Sequence, residues 1–170
     1  MATQLTEIKG GAELQRFLKQ LPGKVEKNIM RGAMRAGANV IRDEAKRLAG
    51  ETKDTGALQK SIRAGSRARG GEITAYIRAG GKKVYFGRGQ NRRGTDVWYA
   101  HLIEYGVQPH SIGNGKHPGF EANPYLRPAI DDKQQEAISA ITDYIRNRLR
   151  THHGLNVPYI KQQGDDEPEI

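Results

Sequence analysis

The chain has 170 residues, 36% of them hydrophobic, and no cysteine, and its mean hydropathy is −0.75. That length fits one domain with a thin core, and the missing cysteines exclude disulfides and thiolate-bound metals, so a reducing cytosolic origin is expected. The net charge of +9 is concentrated in residues 60–93, which hold ten basic side chains against one acid, Glu72, while the C-terminal DDEPEI carries four acids. Such segregation suits contact with a polyanion or an acidic protein face, and equally a solvated basic loop. MATQLTEIKGG lacks the apolar run of a signal peptide, and no stretch approaches the roughly 18 apolar residues of a membrane span. A soluble protein with no membrane partner is expected.

In chain order, Leu14, Phe17, Leu18 and Leu21 take the i, i+3, i+4, i+7 spacing of an amphipathic helix, with Gly10-Gly11 before it and Pro22-Gly23 after it. A longer helix is predicted from about 24 to 48, with Val25, Ile29, Ala33, Ala36, Val40 and Leu48 on one face. Its middle is rich in small residues (Gly32, Ala33, Ala36, Gly37, Ala38), and each glycine costs about 1 kcal/mol against alanine, so another backbone is expected to approach closely. GETKDTGA, residues 50–57, is a polar break. Leu58 to Arg63 reads as a short helix or a strand, Ser66 to Gly71 as a basic turn, and Glu72 to Ala79 as a strand in which Ile73, Ala75 and Ile77 alternate with polar residues. Val84 to Phe86 suggests a third strand, followed by the loop GRGQNRRGTD. Trp98 to Tyr105 reads as strand or helix and, holding the single tryptophan, is expected to be the most buried part of the second half. Residues 106–124 form a long loop, of the kind that usually carries function or stays mobile.

A final helix is predicted to begin between Pro124 and Pro128 and to end near Arg150, striped by Ile130, Ala137, Ile138, Ile141, Ile145 and Leu149, with Asp131 and Asp132 suited to its first turn. Residues 1–155 then make a single α+β domain: two N-terminal helices, a small mainly antiparallel sheet with long loops, and a long C-terminal helix. Residues 156–170 are expected to be a flexible acidic tail.

No phosphate loop, dinucleotide-binding turn or nucleophile elbow occurs, and nothing pairs Ser61 or Ser111 with a base. His110, His117 and Glu121 share a loop but lack a familiar zinc spacing and a rigid frame. His152-His153 suit the C-terminal carbonyls of the last helix, and Asp43 and Glu44 a solvated charged face. No catalytic residue, cofactor or metal is expected. Tyr85 and Phe86 beside Lys82, Lys83, Arg88, Arg92 and Arg93 could hold phosphates and stack bases, although no nucleic-acid-binding signature accompanies them. These five basic residues are the candidate contact for DNA or an acidic partner.

Three segments together resemble a known family. They are KDTGALQKSIR (53–63) after a long Ala/Gly-rich helix, WYAHLIEYG (98–106), and HPGFEANPYLRPAID (117–131) leading into the last helix. The chain is similar to the gene-product-ten-like family of tailed-phage neck and tail-completion proteins. The shared pattern is Asp54-Thr55-Gly56-Ala57-Leu58, then Glu104-Tyr105-Gly106, then Pro124-Tyr125-Leu126-Arg127-Pro128-Ala129, spread over about residues 10–150. The resemblance implies a non-enzymatic virion protein made in the bacterial cytoplasm. It implies a ring, hexameric in the family, between head-closure and tail-terminator or tail-tube proteins, with DNA passing through its axis. Physically, Thr55-Gly56 suits a helix or turn start with Asp54 or Thr55 as cap, Gly106 a change of direction, and Pro124 and Pro128 a stiff helix entry. All are expected to set the fold. The loops at 87–96 and 107–119 depart from the family pattern and are expected to order only against neighbouring subunits, offsetting about 1–2 kcal/mol per residue.

Overall fold

The computed structural model describes residues 23–51, 56–81, 84–86, 93–113 and 115–153. Two helices dominate it: α1, Gly23–Glu51, and α4, Leu126–His153. Between them come the short helix α2, Ala57–Ser61, the hairpin of β1 (Arg63–Arg69) and β2 (Glu72–Arg78), strands β3 (Val84–Phe86) and β4 (Arg93–Thr95), and α3, Ala100–Tyr105. A last hairpin of β5 (His110–Ile112) and β6 (Gly115–His117) precedes α4. The architecture is α+β. Among the described residues, the sheet expected from the sequence is three separate two-stranded antiparallel ladders. The predicted helix at Leu14–Leu21, the acidic tail, and Asp54 and Thr55 lie outside the described residues.

The long helices run antiparallel. Ile29 and Ala33 near the start of α1 meet Ile145 and Leu149 near the end of α4, while Ala45 and Ala49 share a second cluster with Ala129 at its start. The buried stripe of α1 is Ile29, Ala33, Ala38, Ala45 and Ala49; Ala36, Val40 and Leu48, placed on that face by periodicity, are half-buried. The small residues explain the shift. A Cβ on Gly37 would sit 2.7 Å from Ile141 Cγ1 and 3.0 Å from the Ala137 carbonyl, and one on Gly32 would overlap the Tyr144 ring. Glycine in α1 therefore lets the backbone of α4, and two of its large side chains, come close enough to bury both helices.

The β1–β2 hairpin lies on α1. Its inner face pairs Ala64, Ser66 and Ala68 with Ile77, Ala75 and Ile73, and Ser66 Oγ donates to the Arg31 carbonyl at 2.8 Å. Segment 66–71, read as a turn, is mostly strand, because Gly70-Gly71, with φ of 59° and 86°, closes the hairpin in two residues. Arg93–Thr95, assigned to a loop by its polar composition, pairs with Val84–Phe86. The segment after Gly106 is also less open than expected: β5 pairs with β6, and Val107 and Phe120 exchange two backbone hydrogen bonds of 2.9 Å that close its ends. Those bonds lie within the subunit.

The Gly37 contact yields a direct test. Gly37→Leu should destabilise the fold by about 2 kcal/mol in urea unfolding, since overpacking outweighs the gain in helix propensity. Gly23→Leu, where nothing lies within 4 Å of the added carbon, should change stability far less.

Candidate functional site

The second and third motifs meet at one side chain. Ala100 and Glu104, one turn apart on α3, both point inward and are 4% and 5% exposed. Glu104 Oε2 accepts from the backbone N–H groups of Tyr125 and Leu126, each at 2.9 Å, and Oε1 accepts from that of Arg127 at 3.2 Å. A helix start leaves four backbone donors without intrahelical partners. Here the carboxylate takes three, and the fourth position is Pro128, which has none. The negative charge also sits at the positive end of a 28-residue helix. Asp131 and Asp132, expected in the first turn of α4, lie in its second; the acid serving the first turn comes from 22 residues upstream.

Other bonds fix the same corner. The Tyr125 hydroxyl donates to the Ala100 carbonyl at 3.2 Å, Asn123 N–H to the Ile103 carbonyl at 2.9 Å, and Gly106 N–H to the Leu102 carbonyl at 2.7 Å. Burial, reinforced by the nearby Glu104 carboxylate, pushes the Tyr125 phenol well above its ordinary range and keeps it a donor. Gly106 adopts φ 72° and ψ 177°, a conformation open essentially to glycine, and a Cβ there would lie 2.7 Å from the Ala122 nitrogen.

The first motif makes a second corner. Gly56, with φ 75°, precedes α2 and makes no side-chain cap bond, and Ala57 and Leu58 are fully buried. Ser61 Oγ donates to the Leu58 carbonyl at 2.7 Å and accepts from Gly80 N–H at 3.0 Å, while Arg63 Nη1 donates to the Gly80 carbonyl at 2.9 Å. Ser61 ties α2 to the exit of β2.

Outside these corners the surface carries aromatic and basic side chains. Trp98, expected to be buried, is 65% exposed, as is Tyr105, and Phe120 and Ile112 are also exposed. The reason is local. Val97 and Tyr125 occupy the core beside α3, and Trp98 falls in the turn ahead of it, edge-on to Tyr99 at 6.1 Å. Trp98, His101 and Tyr105 then share the outer side of α3, and the Arg127 guanidinium lies 5.0 Å from the Tyr105 ring centroid.

The outer face of the β1–β2 hairpin is basic. Arg67, Arg69 and Arg78 are exposed there, and Tyr76 lies over Gly65 with the Arg78 guanidinium 4.6 Å from its ring centroid. Of the basic residues singled out from sequence, Lys82, Lys83, Arg88 and Arg92 lie outside the described residues; Arg93 has a backbone position in β4 but no described side chain. The side chains of His152 and His153 are likewise outside them. His110 and His117 are brought together, stacked 5.1 Å apart across β5–β6. His117 Nδ1 accepts from Gly119 N–H at 3.0 Å, so the neutral ring carries its proton on Nε2 and offers no lone pair there to a metal. Among the described residues, no group of three or more His, Asp or Glu is placed to hold a metal ion.

The fold is thus a long antiparallel helix pair, braced at two corners and leaving aromatic and arginine side chains outside. A family model described as a tail component of bacteriophage HK97, HK97-gp10-like, matches residues 12–106. That span exceeds half the chain, and the protein belongs to this family of structural phage tail components, proteins of the virion. No curated protein and no solved structure matches it. The matched span ends at Gly106, so PYLRPA lies beyond it and is joined to it by Glu104.

Two measurements probe the corner. Glu104→Ala should lower stability by about 3 kcal/mol, by leaving buried N–H groups unpaired, and Glu104→Gln by about half that. Because the folded phenol of Tyr125 is held above its unfolded value of 10.0, the unfolded chain releases that proton first as pH rises, and stability falls above roughly pH 10. Tyr125→Phe should flatten this alkaline decline.

Proposed function

We propose that the chain is a ring-forming neck or tail-completion subunit that helps join tail to head, with itself, head-closure and tail-terminator or tail-tube proteins as partners. The family's hexamer is the stoichiometry proposed, and host cytoplasm the site of synthesis. The observation that carries this reading is the exposed pair Trp98, in the turn ahead of α3, and Tyr105, at its end beside the Glu104 corner. Large aromatics with an adjacent arginine are the side chains that most often dominate interface energy, and a rigid base spares them the entropic cost of ordering on contact. No described helix is long and apolar enough to cross a membrane. In this reading the protein makes no bonds; it supplies shape and contact.

Trp98→Ala combined with Tyr105→Ala should leave unfolding unchanged within about 1 kcal/mol, because both side chains are exposed. Self-association should weaken about 30-fold or more by sedimentation, the effect of removing one interface anchor worth 2 kcal/mol. Infectious yield should fall with it, and unchanged association with unchanged yield would contradict the proposal.

A second reading, contact with DNA, is favoured by the outer hairpin face, where Arg67, Arg69 and Arg78 are exposed and Arg78 lies over Tyr76. Lys82, Lys83, Arg88, Arg92 and Arg93 are proposed to extend the same basic surface. Each phosphate contact adds about 0.9 to the slope of log affinity against log salt. Replacing Arg67, Arg69 and Arg78 with Ala should therefore reduce that slope on random duplex by about 3. Affinity that is absent at physiological salt would leave the arginines to an acidic protein face.

A further inference from the structure

The two histidines of the β5–β6 hairpin are bonded in opposite senses. His110 and His117 face each other across the ladder, His110 exposed and His117 half-buried. Their rings are stacked with centroids 5.1 Å apart and planes 20° from parallel. Each ring uses Nδ1 on a backbone group two residues away. His110 Nδ1 meets the Gln108 carbonyl at 3.0 Å, which requires a proton on that nitrogen. His117 Nδ1 meets Gly119 N–H at 3.0 Å, which requires a lone pair there. The neutral pair is therefore made of two different tautomers.

The Gly119 bond holds more than one residue. Gly119 has φ 77°, and a Cβ there would overlap the Val107 carbonyl, so its backbone is packed against the chain entering the segment. Its neighbour Phe120 makes the two bonds with Val107 that close the ends. Val107, Gly119 and Phe120 line, with Tyr105, an open cleft of about 530 Å³. A histidine ring takes up its second proton at about pH 6.5. On His117 that proton goes to Nδ1 and replaces the acceptor of Gly119 N–H with a donor. On His110 it goes to Nε2 and leaves the Gln108 bond intact, and two cationic rings then lie face to face. The charged side chains around the pair are Lys116, on the opposite face of β6, Glu121 beyond Phe120, and Arg127 over the Tyr105 ring. Among the described residues neither histidine has a carboxylate partner to offset the added charge. We propose that the His110–His117 stack is an acid-released clasp, whose protonation frees Gly119 and lets Phe120 come away from Val107, opening the cleft beside Tyr105. The clasp holds whether or not the chain forms a ring.

Amide exchange of the full-length protein at about pH 7.5 and about pH 5, corrected for the intrinsic pH dependence of exchange, reads the clasp directly. Protection at Gly119 and Phe120 should fall about tenfold or more in acid, while amides in the middle of α4 keep theirs. Ring nitrogen shifts should show neutral His117 protonated on Nε2 and neutral His110 on Nδ1. His117→Asn, whose side-chain oxygen accepts a hydrogen bond at either pH, should remove the acid effect, and His110→Gln, which removes the facing charge, should reduce it. Equal protection at both pH values overturns the proposal, as does an acid loss that persists in His117→Asn or that α4 shares. A neutral His117 ring carrying its proton on Nδ1 overturns it as well.

Discussion

The carboxylate of Glu104 is the interaction on which the second half of the fold depends. It carries a charge into a nearly closed site, which is costly unless the carboxylate is well hydrogen-bonded. The site meets that condition with backbone alone, offering three N–H groups and the positive end of a long helix. The result fixes where α4 begins and at what angle it leaves α3. Because α4 covers α1 along most of its length, the entry angle set there is carried through the whole helix pair.

The same corner decides what is left outside. With Ala100 and Glu104 turned inward, Tyr125 filling the space beneath α3, and Tyr99 and Ile103 packed against the core, Trp98 and Tyr105 are left outside. Trp98 and Tyr105 project as a consequence of the packing, on a base tied to both neighbouring elements. The closed segment 107–120 extends from the same corner, its ends pinned by Val107 and Phe120.

Much of this was legible in the residues. The period of 3.6 gave both long helices, alternation gave β2, and the three motifs pointed to the family. What the sequence withheld has physical causes. A strand as polar as RAGSRAR carries no alternating signal, and only its partner β2 and the floor of α1 make it a strand. RGT, three residues long, is set by pairing with Val84–Phe86 and has no propensity of its own to read. Hydrophobicity placed Trp98 inside, because it cannot reveal that smaller neighbours have already filled the site. Ser61 drew notice only as a nucleophile without a base, whereas its hydroxyl serves two backbone groups. Glu104 and Pro124–Pro128 were each visible, but a bond across more than 20 residues leaves no periodic trace. The one hint was a helix entry rich in proline with its nearest acids a turn too late.

Amide hydrogen exchange at Tyr125, Leu126 and Arg127 tests the central claim most directly, because it reads the three donors themselves. If Glu104 holds them, they exchange only on unfolding of the helix pair, as slowly as amides in the middle of α4. Exchange as fast as that of the exposed residues 121 and 122 would show that the carboxylate does not secure the helix start, and the account of the fold and its outer surface would fail with it.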